Sequence, residues 1–137
     1  MASEAAFLLA CFGMLGLLLW CRWRLRLRGT VVVLPAELRG ARLVYAERLF
    51  RSTGAVSISA RVDRVYRNAA GILVLVELKT RQANRRHDSD VIELSAQRVA
   101  LMGQTGELVA KHAYVLTQMP AGNWSGVHRV ELMSPRR

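Results

Sequence analysis

The sequence predicts an α/β fold. It is an α+β sandwich with a central mixed sheet, built in the order helix, three strands, helix, two strands and preceded by one N-terminal transmembrane helix. Three observations predict it. Val56, Ile58, Ala60 and Val62 alternate with polar residues, the period of a half-buried strand. Ile72 to Val76 is an unbroken apolar run, as in a strand buried on both faces. Asp88-Ser89-Asp90 then opens a stretch with helix-capping chemistry that continues to about Met102.

Taken in order, the chain begins with its longest uncharged apolar run, Ala5 to Cys21. Seventeen residues rise about 25 Å as a helix, enough for a thin or locally adapted bilayer. Trp20 and Trp23 suit its interface. Glu4 precedes the run, and Arg22, Arg24, Arg26 and Arg28 follow it. That order is the reverse of a cleaved signal peptide, and it predicts a retained single-pass anchor in the inner membrane with the following domain in the cytoplasm. The boundaries expected are an anchor with its basic flank over 1–28, a linker over 29–34, one domain over 35–133 and a basic tail over 134–137. Cys11 and Cys21 both lie in the anchor stretch, ten residues apart, and cannot pair within one helix. With no cysteine in the domain, a disulfide framework and a cysteine metal site are excluded there.

The formal charge is +10, of which residues 1–28 carry +3, so the domain and tail carry +7. A balance that basic points to a polyanionic partner, nucleic acid or anionic lipid. Pro35 suits the first turn of a helix, and Leu38, Ala41, Arg42 and Tyr45 have helical spacing, so a helix is predicted to about Tyr45. Glu47 to Arg51 reads as an edge strand.

The next two strands meet at Asn68-Ala69-Ala70-Gly71, which is turn chemistry with Gly71 free to take positive φ. A three-residue loop Ala69-Ala70-Gly71 sets the register. Asn68 then faces Ile72, Tyr66 faces Val74, and Asp63 faces Glu77. Glu77 and Lys79 leave the same face of their strand, so Asp63, Glu77 and Lys79 converge. One ordinary reading is an ion pair on an exposed sheet face. The other is a divalent-metal site. Two carboxylates suit Mg²⁺ or Mn²⁺, which keeps waters and takes phosphate oxygens. A neighbouring lysine orients or deprotonates a water, or neutralises phosphate charge.

Lys79, Arg81, Arg85 and Arg86 then line a polar stretch, Thr80 to His87, suited to phosphate contact without base reading. In the following helix Asp90 and Glu93 have capping-box spacing, and Ile92, Ala96, Val99 and Met102 or Gly103 form the expected buried stripe. His112 to Thr117 reads as a strand, Pro120 to Asn123 as a turn, and Val127 to Leu132 as the last strand, with His128 facing outwards. The chain has no internal repeat, no phosphate-binding glycine loop and no Gly-x-Ser-x-Gly.

Asp63 followed by Glu77-Leu78-Lys79 resembles the (P)D…(D/E)xK signature of the restriction-endonuclease-like nuclease superfamily, nearest its RecB-like and Cas4-like exonuclease branch. The resemblance covers roughly residues 35–118. Val62 stands in place of the signature proline, Arg61 stands two before Asp63, and Ala60 stands where many members have glycine. The iron–sulfur cysteines of Cas4-like proteins are missing, so no such cluster is expected. The resemblance implies an αβββαβ core and a Mg²⁺- or Mn²⁺-dependent nuclease hydrolysing phosphodiester bonds, with DNA the favoured substrate; with the apolar run 5–21 this makes a membrane-anchored nuclease the expected function. Asp63 and Glu77 would hold the metal, and Lys79 would position the attacking water. It also implies a further acid on the helix before the sheet, for which Glu37 is the candidate and Glu47 the alternative. A glutamine-x-x-x-tyrosine motif on the later helix is implied too. Either Gln97 is the glutamine, with Leu101 in place of tyrosine, or Glu93 and Gln97 fill the two positions; Gln97 is the functional candidate. Arg81, Arg85 and Arg86 would contact the nucleic-acid backbone. The second function consistent with the sequence is a membrane-tethered nucleic-acid-binding domain with little or no cleavage.

Overall fold

The hairpin at the centre of the chain forms in the expected register. Strand β2 (Ile58–Arg67) runs antiparallel to β3 (Leu73–Thr80), with Tyr66 opposite Val74 and Arg64 opposite Val76. The turn is organised by Asn68. Its side-chain oxygen accepts the backbone N–H groups of Ala70 and Ile72, and Gly71 takes φ +80°. The computed structural model describes residues 33–120, 122 and 124–134. The anchor expected over 1–28, most of the linker and the last residues of the tail lie outside the described residues. Among the described residues no helix is long and apolar enough to cross a membrane.

The described part is an α+β domain with a five-stranded mixed sheet in the order β1-β2-β3-β4-β5 and one helix packed on it. Strand β1 is Arg42–Ser52, helix α1 is Asp88–Thr105, β4 is Val109–Gln118 and β5 is Trp124–Glu131. β3 and β4 are parallel, and α1 is the crossover between them. The other neighbours are antiparallel. β3 is buried on both faces, as its unbroken apolar run requires: Leu73 and Leu75 face the core under α1, while Val74 and Val76 are buried on the other side.

The helix expected from Pro35 to about Tyr45 does not form. Only a 3₁₀ turn, Ala36–Leu38, is present, and Gly40 at φ +78° turns the chain into β1. Leu43, Val44 and Tyr45 favour a pleated surface, and pairing with β2 from Arg42 onwards outweighs the helical spacing. A bulge between Leu43 and Tyr45 lets both Val44 and Tyr45 pack against the core.

Helix α1 sits where expected but is rotated from the predicted stripe. Ile92 is exposed, while Asp90, Leu94, Gln97, Arg98 and Leu101 are buried. These follow helical spacing, but three of them are polar, so hydropathy alone selects the wrong face. The cap is also displaced by three residues: the Asp90 carboxylate accepts the His87 backbone N–H at 2.8 Å rather than pairing with Glu93.

Val62 and Val65 belong to the same core cluster although an odd spacing places them on opposite faces of a regular strand. The strand changes face between them, at Asp63 and Arg64. Across the ladder, Ala46 pairs with Arg64 and Arg48 with Val62, which puts Glu47 opposite Asp63. Glu47 has φ +50°, the one non-glycine positive φ among the described residues. A left-handed residue and a face change in the neighbouring strand thus coincide beside Asp63.

Candidate active site

The β2–β3 ladder ends at Arg64 and Val76, and beyond it the two strands part. Leu78 lies past that point, and its N–H donates to the Asp63 side chain at 2.9 Å. Asp63 therefore reaches the stretch Glu77-Leu78-Lys79 by its side chain, where the register alone placed it opposite Glu77. Glu77 is buried, at 3% exposure. One of its oxygens meets Lys79 Nζ at 2.7 Å, and the other accepts from Gln97 Nε2 at 2.9 Å. Lys79 Nζ also meets Glu93 at 2.8 Å. Four of the expected residues, Asp63, Glu77, Lys79 and Gln97, thus come together. The two alternatives on α1 are both present: Gln97 holds Glu77 and Glu93 holds Lys79, because residues four apart share a helix face.

The electrostatics follow from burial. Burial pushes the Glu77 carboxyl up; contacts with Lys79 and Gln97 oppose this, and the charge of Asp63 adds to it, leaving Glu77 above its ordinary value. Burial alone would lower Lys79, but its contacts with Glu77 and Glu93 outweigh that and hold the ammonium well above its usual range. Lys79 therefore enters this site as a cation and hydrogen-bond donor rather than as a proton acceptor.

Glu37 is not brought to this cluster. Tyr114 donates to its carboxylate at 2.5 Å, and His112 Nε2 lies 2.9 Å from the same oxygen. Tyr114 pairs with Val76, whose side chain points away from the Glu77 face, so Glu37 serves the opposite side of the sheet. The Tyr114 bond, with His112 and Arg129 nearby, keeps the Glu37 carboxyl below its ordinary value against some burial. Burial and Glu37 together push the Tyr114 phenol up to about 12. Glu47, the alternative acid, is the one placed across the ladder from Asp63, with an exposed side chain.

Arg81 is a structural partner as well. Its guanidinium grips Asp90 through two bonds of 2.8 and 2.5 Å and donates to the Arg85 carbonyl at 3.0 Å. Arg85 and Arg86 remain exposed. Burial of Asp90 opposes its ionisation, but Arg81 and the His87 N–H outweigh it and hold the carboxyl below its ordinary value. Its contribution to stability is therefore full above the unfolded carboxyl value, about 3.9, and is lost as pH falls through the lower folded value. At neutral pH, Asp90→Asn should cost about 1.5–3 kcal/mol, in the range of hydrogen bonds to charged groups. Melting curves of the variant and wild type should converge as the pH is taken below that of a normal aspartate; a constant gap at every pH would count against the ion pair.

Nothing in the sequence marks Asn84 as a structural residue. Its side-chain oxygen accepts from Thr117 Oγ1 at 2.9 Å and lies 2.7 Å from His128 Nε2. Thr117 pairs with Lys79 in the ladder, so Asn84 holds the basic loop over β4 and β5 next to the cluster. Gly126 makes room for it: a Cβ there would fall 2.1 Å from Asn84 Oδ1. Gly126→Ala should release the loop and speed tryptic cleavage after Arg85 and Arg86. Equal cleavage rates in the variant and wild type would show that the loop is held without Asn84.

The donor set fits a hard divalent cation. Asp63 and Glu77 supply carboxylate oxygens, and Mg²⁺ commonly takes one or two carboxylates and fills its shell with water and phosphate oxygens. A carboxylate offers about four lone-pair sites, so Glu77 can accept from Lys79 and Gln97 and still bind a cation. Among the described residues no three His, Cys, Asp or Glu side chains form a metal-holding group. The cluster sits at the carboxyl end of β3, beside its parallel neighbour β4, where open sheets of this kind take ligands. No model of a known protein family matches the chain, and no curated protein matches it, so the reading of this site rests on its geometry.

Proposed function

We propose that this chain is a divalent-metal-dependent nuclease with a restriction-endonuclease-like core, tethered to the inner membrane through residues 5–21 and acting on DNA from the cytoplasmic side. The observation that carries the reading is the meeting of Asp63, Glu77, Lys79 and Gln97 where β2 parts from β3. Asp63 and Glu77 would hold Mg²⁺ or Mn²⁺, which when bound supplies a Lewis acid for a phosphate oxygen. Lys79 donates hydrogen bonds to a water or phosphate oxygen and offsets its negative charge. Gln97 orients Glu77, and Glu93 orients Lys79. Arg85 and Arg86 attract the phosphate backbone from the pinned loop.

One observation favours a second reading, a tethered nucleic-acid-binding domain without cleavage. Both Glu77 oxygens already have donors in the protein, Lys79 and Gln97. Incubating the full chain with linear and circular DNA in Mg²⁺ or Mn²⁺, against EDTA, decides between the two. Metal-dependent cleavage of either substrate is the expected result, and retardation of DNA without cleavage would establish the second reading. Protease digestion of the domain from the outside of spheroplasts would overturn the topology.

A further inference from the structure

We propose that Arg39, Arg42 and Arg67 form a second anion site, a pocket for a phosphate-type oxyanion at the hairpin-turn end of the sheet, away from the candidate active site. It does not depend on the nuclease reading. The pocket has a volume of about 270 Å³ and is walled by these three arginines together with Glu37, Gly40 and Asn68. That is several times the roughly 30 Å³ share of one water, enough for an oxyanion.

Three features make it an anion site rather than a surface dent. Arg42 and Arg67 are direct partners across β1 and β2, and Glu107 pairs with Arg67 alone, so the charge of Arg42 is left uncompensated beside it. Arg67 donates through Nη2 to Glu107 and through Nη1 to the Gly71 carbonyl, two bonds that fix its guanidinium at the pocket wall. The side chains of Arg39 and Arg42 have no ion-pair or hydrogen-bond partner among the described residues, and both line the same pocket on either side of the Gly40 turn. Glu37 also lines the pocket, but its carboxylate is bonded to Tyr114 and His112, so it offsets only part of the charge of the three arginines. Planar guanidinium groups match the geometry of phosphate oxygens.

In sequence, Arg39 follows the apolar run 5–21 by 18 residues, so an anionic lipid headgroup and a free phosphate are both sources of this chemistry. The test uses the full chain in non-ionic detergent micelles and reads its melting temperature. One arm titrates inorganic phosphate against chloride at matched ionic strength. The other adds short-chain phosphatidylglycerol or phosphatidylcholine to the micelles. A saturable rise of a few degrees is expected with phosphate, with phosphatidylglycerol, or with both, and which arm responds identifies the source. The rise should vanish in Arg39→Gln/Arg42→Gln and persist in Arg85→Gln/Arg86→Gln. If the double variant does not fold, Arg39→Gln alone serves, since Arg39 is exposed and lies outside helix and strand. No saturable rise with either anion would overturn the proposal. So would an equal rise in the Arg39 and Arg42 variants, or an equal response to both lipids with none to phosphate.

Discussion

Titrating Mn²⁺ into the full chain is expected to raise the melting temperature of the wild type and to leave Asp63→Asn unmoved. The metal binds the folded arrangement of carboxylates and not the unfolded chain, so binding appears as stabilisation. Asparagine keeps an oxygen for the Leu78 N–H, so the apo variant should melt no lower than wild type while losing both the metal response and cleavage. Glu77→Gln carries a further sign. The folded Glu77 carboxyl titrates above its ordinary value, mainly from burial, so its contribution to stability is present at low pH and lost as pH rises through the folded value. At neutral pH the isostere removes a buried charge, but its amide N–H₂ then faces a donor, Lys79 Nζ or Gln97 Nε2, so it should be inactive without being more stable than wild type. Lys79→Ala differs from both. Metal still binds, cleavage falls by about 10²–10³-fold, as for removal of one charge-stabilising donor, and the buried Glu77 loses its cation at about 1–3 kcal/mol. If the cluster were only a structural ion pair, Lys79→Ala would still lower stability, but Mn²⁺ would change nothing in wild type or variants.

DNA affinity of the wild type should fall steeply with salt, and Arg85→Gln/Arg86→Gln should flatten that dependence. Each phosphate that an arginine no longer neutralises takes about 0.9 from the slope of log affinity against log salt, so the pair should remove roughly 1.8. The weakening should be similar for all DNA sequences, because arginines on the phosphate backbone position the duplex without reading bases. Arg81→Gln should behave as a stability variant instead. Its guanidinium is committed to Asp90, so the effect appears as a lower melting temperature and a looser loop. A slope unchanged by removal of Arg85 and Arg86 would place the DNA interface elsewhere on the domain.

What could be read from the sequence was what short-range chemistry controls. The Asn68–Gly71 turn and the alternation before it set the register of β2 on β3 as far as Arg64 and Val76, which leaves Asp63 near the Glu77-Leu78-Lys79 stretch. The cap region near Asp88 and the helical spacing beyond it located α1 to within a few residues. These features depend on residues only a few positions apart, where the allowed backbone geometries are few.

The tertiary structure decided the rest. Pairing with β2 made a strand of the segment after Gly40, whose spacing had suggested a helix. The rotation of α1 was set by Gln97 meeting Glu77 and Asp90 meeting Arg81, two buried polar contacts that a hydrophobic stripe cannot reveal. Glu37 was drawn 77 positions along the chain to Tyr114, away from the carboxylates it was expected to join. Arg42 and Arg67 became neighbours only because β1 and β2 pair in that register. A sequence states which residues can carry charge or bind a cation, but for residues far apart in the chain their meeting depends on how the strands and helix pack, and that is settled by the burial of the whole core.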